Sequence, residues 1–247
     1  MRWKALWCAP LVAQIDEMPR LQSPTSNLDR LIVAITFYYG SGSPYAWLVW
    51  LALEHKRLAY EQKILSFAKA ETKAADYLAL NPRGRVPVIV DDGFALYESS
   101  AIVEYLEDAY PNQGGKLFPG STRQRAVVRR KISEAVSYFG PAMAKLSGML
   151  FFSPAERWDA TEIATARDAT LKELERVEAE LSGEFLAGEL SAADFTFYPH
   201  LALGIRCDLK KSDLNFMPAL PPKVAAWAAR MMALAVVQKT WPPHWRT

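Results

Sequence analysis

Hydrophobic positions fall into two regimes along the chain. In the first, up to about residue 110, they come in short blocks of changing period. LIVAITFYY (31–39) is β-branched and aromatic throughout, the signature of a buried strand. Ser43 and Pro44 then open an apolar helix that runs to about Lys56, with serine at the cap and proline at the first helical position. LAYEQKIL (58–65) alternates like a second strand, and the polar stretch 68–80, with its Lys and Glu residues, reads as a helix. Residues 88–90 form a strand, Asp91-Asp92-Gly93 a hairpin turn, and Phe94 to Tyr97 the returning strand. Ser99 or Ser100 then caps AIVEYLEDAY, a helix that ends before Pro111. The order is β-α-β-α-β-β-α: a parallel pair with a crossover helix, an antiparallel hairpin and a last helix.

The second regime is helical. PNQGGKLFPGS (111–121) is rich in proline and glycine and has little periodicity, which marks a linker. Beyond it, Leu171, Leu174, Val177 and Leu181 recur at helical spacing and stop at Ser182-Gly183. The closing WPPHWRT cannot extend a helix through its two prolines. At the other end, MRWKALWCAPLVAQ has two basic residues and an apolar run too short to span a membrane. The expected organisation is a tail or over-extended start at 1–29, an α/β domain at 30–111, a linker at 112–121 and an all-helical domain at 122–247.

Composition narrows the function classes. Of 247 residues, 51% are hydrophobic, enough to build a core. A net charge of +2, spread along the chain, gives no electrostatic case for nucleic acid. The basic run RQRAVVRRK (123–131) reads as a solvated helix face. Cys8 and Cys207 form no metal or redox spacing, and His55, His200 and His244 are scattered. No metal site is expected, and the cysteine usage fits a reducing cytoplasm.

Three short motifs can carry chemistry, although taken singly each has a stronger structural reading. Val86-Pro87 is locally an edge-strand entry. As a cis-proline turn it would expose the Val86 N–H and C=O to an extended peptide. Glu98-Ser99-Ser100 is locally a capping segment. As a site, a hydroxyl at a helix N-terminus would bind a carboxylate and Glu98 an ammonium. Arg83 and Arg85 are locally solvated charges, yet a cation there could hold a second carboxylate. Together the three match the charge pattern of glutathione.

These residues also carry a family resemblance. NPRGRVPVIVDDGFALYESSAIVEYLEDAYP (81–111) closely resembles the glutathione transferase family: Asn-Pro, a basic residue before Val-Pro, then Glu-Ser-x-Ala-Ile and Tyr-Leu. By element order the resemblance spans roughly residues 32–235. It implies a thioredoxin-like N-terminal domain, an all-α C-terminal domain, glutathione as co-substrate and a homodimer. Carried onto this chain, Glu98 and Ser99 would hold the γ-glutamyl head. Val86, followed by Pro87, would pair with the cysteinyl backbone, and Arg85 would hold the glycyl carboxylate. Ser43-Pro44-Tyr45 resembles the serine classes, in which the hydroxyl before the proline activates the thiol. Tyr39 and then Ser41 are the rivals. Tyr38 and Tyr39 point to opposite faces of a strand, so at most one of them could reach the site. No cysteine lies in the loop, which argues against the thiol-exchange classes and a maleylacetoacetate isomerase.

The electrophile would be hydrophobic and lie between the domains, with Tyr138, Phe139, Met143, Phe151 and Phe152 either lining its site or filling core. Ser191-Ala-Ala-Asp194 has the shape of a capping box, so Asp194 is assigned to folding. Neither nucleic acid nor membrane is expected as a partner. The rival functions are a non-catalytic binding protein of this fold, or a glutathione-dependent peroxidase or dehalogenase.

Overall fold

The computed structural model describes residues 35–245. The expected tail at 1–29 lies outside the described residues. The N-terminal half runs β1 (Ile35–Tyr39), α1 (Pro44–His55), β2 (Tyr60–Ile64), α2 (Ala75–Leu80), β3 (Val88–Asp91), β4 (Phe94–Tyr97) and α3 (Ser99–Ala109). The four strands form one sheet in the order β2-β1-β3-β4. β1 pairs parallel with β2 and antiparallel with β3, and β3 pairs antiparallel with β4. The hairpin turn uses positive φ at Asp92 (46°) and Gly93 (84°), the combination a two-residue turn between twisted strands requires.

Every residue of α1 from Ala46 to Leu53 is buried. A helix apolar on all sides needs cover on all sides. Its Trp50 packs on Tyr39 of β1 and donates to Tyr60 of β2; the helix also contacts α3 and is covered by the second half of the molecule.

That second half comprises α4 (Thr122–Glu134), α5 (Gly140–Phe151), α6 (Ala160–Glu180), α7 (Ala192–Lys210), α8 (Pro222–Ala233) and α9 (Ala235–Thr240). A π-helical turn, Ala135–Phe139, joins α4 to α5. α7 is the central helix, buried from Ala192 through Ala202, and it packs directly on α1. A single apolar core runs through both halves. Among the described residues no helix is long and apolar enough to cross a membrane, and no cluster of His, Cys, Asp or Glu could hold a metal.

Four local expectations change. β3 is an interior strand, so Val86-Pro87 is not an edge entry. The missing N–H of Pro87 falls just before the ladder begins at Val88. Stretch 68–80 is not one helix. The chain turns left-handed at Ala70 (φ 54°) and extended at Ala74, leaving a short 3-10 turn before α2. Neither Ser99 nor Ser100 caps α3, because Glu98 takes the cap position and Ser99 is the first helical residue. The basic run is not wholly solvated. Lys131 is buried and bridges Glu134 and Glu180 at 3.0 and 2.9 Å.

Candidate functional site at the end of the sheet

Strand direction brings the predicted residues together. The register pairs Tyr38 with Val88 and Val88 with Tyr97. The C-terminal end of β1, the N-terminal end of β3 and the C-terminal end of β4 therefore share one end of the sheet. The chain leaves β1 there into Ser41-Gly42-Ser43, enters β3 through Val86-Pro87, and leaves β4 into Glu98-Ser99.

Ser43 is the N-cap of α1. Its backbone is extended (φ −72°, ψ 120°) and its Oγ accepts from the Ala46 N–H at 3.4 Å. Pro44 follows at the first helical position, where a missing N–H costs nothing. The cap uses only the acceptor side of the hydroxyl, so its proton remains available to a ligand. Two residues earlier, Ser41 Oγ lies 2.7 Å from His244 Nδ1. Gly42 turns between the serines at φ +84°. A Cβ there would lie 2.9 Å from His244 Cε1, so this close approach needs glycine.

Both serines open onto a cavity of about 390 Å³. Its walls are Tyr45 and Phe67 from the first half and Phe151, Phe152, His200 and Arg206 from the second. The C-terminal His244 and Trp245 close one side. Tyr45 meets His200 edge-on with ring centroids 4.9 Å apart. Burial pushes His200 down to about 4, so its imidazole is neutral near neutral pH.

The other predicted residues surround this end of the sheet. The Val86-Pro87 bond is cis. Among the described residues, Val86 makes no backbone hydrogen bond in a turn, cap or loop, and it lies outside the β3 ladder. The preceding carbonyl, of Arg85, is fixed by Tyr77 Oη at 2.6 Å and Asn81 Nδ2 at 2.8 Å. Arg85 itself is exposed, and its charge reaches Tyr45: burial raises the Tyr45 phenol and Arg85 partly offsets it. Glu98 is held at φ +71°, a conformation that costs a non-glycine residue of order 1–3 kcal/mol. Its carboxylate lies 3.7 Å from Arg83, with both side chains largely exposed. Ser99 is buried, and among the described residues its hydroxyl has no hydrogen-bond partner.

Tyr39 does not line the cavity. It is buried against Phe37 and Trp50, its hydroxyl donates to Gln62 Oε1 at 3.4 Å, and burial raises its pKa. Tyr38, on the opposite face, packs against Tyr77. The five aromatic and Met candidates divide. Phe151 and Phe152 line the cavity, Met143 and Phe139 are core, and Tyr138 is exposed beside a separate polar hollow between α4 and α6. Asp194 is fully buried at the start of α7 and accepts from Ser191 N–H (3.0 Å), Ser191 Oγ (3.1 Å), Leu186 N–H (2.9 Å) and Trp227 Nε1 (2.9 Å).

His200, Arg206, His244 and Trp245 were not singled out from the sequence as cavity residues. Only WPPHW offered a signal, in aromatic residues placed after a helix stop. Asn81 and Tyr77, which set the backbone before Val86, were also missed. The Asn-Pro start of the family segment was their only trace.

Comparison with known proteins identifies the family. Residues 42–109 match the model of the glutathione S-transferase N-terminal domain, and residues 142–235 match that of the C-terminal domain. Glutathione S-transferase A of Pleuronectes platessa is 30% identical over 223 residues, covering 85% of this chain and 92% of that protein. Glutathione S-transferase 2 of Schizosaccharomyces pombe is 30% identical, covering 83% and 94%. Among solved structures, a glutathione S-transferase from the Antarctic clam Laternula elliptica superposes with a TM-score of 0.72 at 34% identity, covering 85% of this chain and 93% of that one. Poplar glutathione transferase F1 gives a TM-score of 0.75 at 26% identity, covering 84% and 96%. With both domains matched in order and relatives aligned over most of their length, the chain belongs to the glutathione transferase family.

Proposed function

We propose that this protein is a glutathione transferase that ionises the glutathione thiol beside Ser43 and adds it to an electrophile in the adjoining cavity. The observation that carries the reading is the meeting of three elements at one sheet end: the Ser43 cap, the free Val86 backbone, and the Glu98-Ser99 entry to α3. In support, a 27% identical glutathione transferase of Phanerochaete chrysosporium, with a TM-score of 0.74, was solved in complex with oxidized glutathione.

Glu98 receives the α-ammonium of the γ-glutamyl residue, and its pair with exposed Arg83 is weak enough to yield to a ligand. The buried, unpartnered Ser99 hydroxyl and the α3 N-terminus receive the carboxylate. Val86 pairs with the cysteinyl backbone, beside Pro87, and Arg85 faces the glycyl carboxylate. The cysteinyl sulfur then falls near the α1 N-terminus. A free thiol titrates at about 8.5, and lowering it by two units takes about 2.7 kcal/mol. One charge-assisted hydrogen bond from the Ser43 hydroxyl supplies roughly 1.5–3 kcal/mol of that. The proton leaves to solvent, the thiolate forms a C–S bond to the electrophile, and the leaving group departs with its electron pair. Tyr39 is the weaker candidate for activator, since its hydroxyl is directed to Gln62. A cytoplasmic homodimer is the setting this reading takes.

The test is conjugation of a chlorinated nitroaromatic by purified protein. Ser43→Ala should lower kcat/KM by about tenfold to a hundredfold. It should also raise the pH at which the enzyme-bound thiol ionises, while free glutathione still stabilises the fold. A Ser43→Ala enzyme with wild-type rate and pH profile removes Ser43 from the chemistry. A wild-type protein neither stabilised by glutathione nor active rejects the transferase reading.

A further inference from the structure

The cavity beside Ser43 is mostly apolar, yet it contains a full positive charge. Arg206, half buried on α7, lies on its wall with the guanidinium carbon 5.7 Å from the Trp245 ring centroid. No Asp or Glu lines the cavity. Among the described residues Arg206 has no ion pair and no hydrogen bond. It lies over the Trp245 ring, and burial together with its charge lowers the pKa of neighbouring His244. Arg129, Arg130 and Arg167 of the second half pair with carboxylates, whereas among the described residues Arg123, Arg125 and Arg157 do not; of the unpaired ones only Arg206 lines this cavity. A guanidinium with no carboxylate to displace, set beside an apolar hollow, is free to take an anionic ligand.

A second group points the same way. His200 is 3% exposed, lines the same cavity and has no hydrogen-bond partner among the described residues. It is uncharged near neutrality, so it offers a hydrogen bond rather than a second cation. Phe151, Phe152 and Trp245 supply flat apolar surface between these polar groups. The residues assigned to glutathione, Arg85, Val86, Glu98 and Ser99, lie outside this wall.

We propose that the electrophile taken by this enzyme is an aromatic compound carrying a carboxylate, its ring against Phe151, Phe152 and Trp245 and its carboxylate on the Arg206 guanidinium. The proposal rests on the transferase reading for its chemistry and narrows the substrate from hydrophobic to anionic aromatic. His200 then bonds a second polar substituent on the ring.

The experiment uses two matched pairs of compounds on the full chain. Binding is measured by calorimetry with unreactive meta-nitrobenzoate and meta-nitrobenzamide. Turnover is measured with glutathione and para-chloro-meta-nitrobenzoate or its amide, each rate divided by its uncatalysed rate. The benzoate should bind at least about tenfold tighter than the amide, and turnover should favour it by a similar ratio. Arg206→Gln should bring both ratios close to one, and Arg206→Lys should restore part of each. Equal binding of benzoate and amide, or ratios that survive Arg206→Gln, overturns the proposal. So does competitive displacement of the benzoate by glutathione, which would give Arg206 to the glutathione site. If benzoate binds through Arg206 but neither chloro compound is conjugated, the anion site stands and the transferase reading fails. If the amide is conjugated and benzoate binds no better, the transferase reading stands and the anion site fails.

Discussion

His200 sits on α7 between the Tyr45 edge and the Phe139 ring, its side chain almost wholly enclosed. Burial lowers its pKa to about 4 from the ordinary 6.5, so folding favours the neutral form. The stability this contributes is complete above pH 6.5 and is lost as pH falls toward 4. At about 1.4 kcal/mol per unit, the gap amounts to about 3 kcal/mol. Asp194 acts oppositely in nearly the same window. Burial raises it from 3.8 to about 6 against its four donors, so stability falls as pH rises through that range. The wild-type profile alone therefore hides both. The measurable quantity is the difference between wild type and His200→Gln in urea unfolding at pH 6.5 and pH 4. Wild type should lose up to about 3 kcal/mol more than the variant on acidification, and equal losses would show that His200 is not held neutral. Single residues were unevenly legible. Ser43 was legible as a cap because serine before proline at a helix start is a local signal. Lys131 was misplaced because a lysine in a basic run carries no local mark of the distant Glu180 carboxylate, which joins nearby Glu134 in pairing with it. His200 lies in the stretch of α7 that is buried on all sides, Ala192 through Ala202, and Arg206 lies just beyond it, so periodicity could not say which side faces a cavity.

Asp194 belongs to the scale of elements. Its carboxylate ties the first turn of α7 to the Leu186 loop and to Trp227 on α8. Asp194→Ala strands buried N–H donors, each costing roughly 1–3 kcal/mol, so a loss of about 3 kcal/mol or more is expected. Activity per folded molecule should remain, since Asp194 is not part of the cavity lining. An unchanged urea midpoint, or a folded but inactive variant, contradicts this assignment. Elements were legible where one local signal decided them. The parallel pair, the Asp92-Gly93 hairpin and the helix started by Ser43-Pro44 all form as the pattern predicts. Where a decision depends on a distant partner, the pattern misleads. A proline before a strand reads as an edge, yet β3 is interior because β1 and β4 flank it. A helix entry rich in serine reads as a serine cap, yet Glu98 takes that position in a strained backbone.

At the scale of the molecule, the division into an α/β half and a helical half is clear in sequence, but the joint between them is not. WPPHW states where a helix stops without stating where the chain then goes. In the fold it returns over α1. Trp47 Nε1 donates to Thr240 Oγ1 at 2.8 Å, and the Trp47 ring meets Tyr198, Trp241 and Trp245 edge-on. Lys239 pairs with Glu54 at 2.7 Å across the same joint. On the far side, Glu107 accepts from buried Lys56 at 2.9 Å and from the Leu117 N–H at 3.0 Å. Burial alone would raise the Glu107 carboxyl, but these donors hold it below the ordinary value. The Leu117 carbonyl in turn accepts from Ala192 at the start of α7. With one core through both halves, unfolding should be a single transition, with circular dichroism and tryptophan fluorescence coincident. Trp47 lies outside the cavity yet supports the segment that carries His244 and Trp245. Trp47→Ala should therefore do two things at once. It should cost about 3–5 kcal/mol, lowering the melting temperature by roughly ten degrees, and it should raise KM for the electrophile more than KM for glutathione. Two resolved transitions in the wild type would break the single-core account. A destabilised Trp47→Ala enzyme with both KM values unchanged would show that the C-terminal segment holds its place over the cavity without this joint.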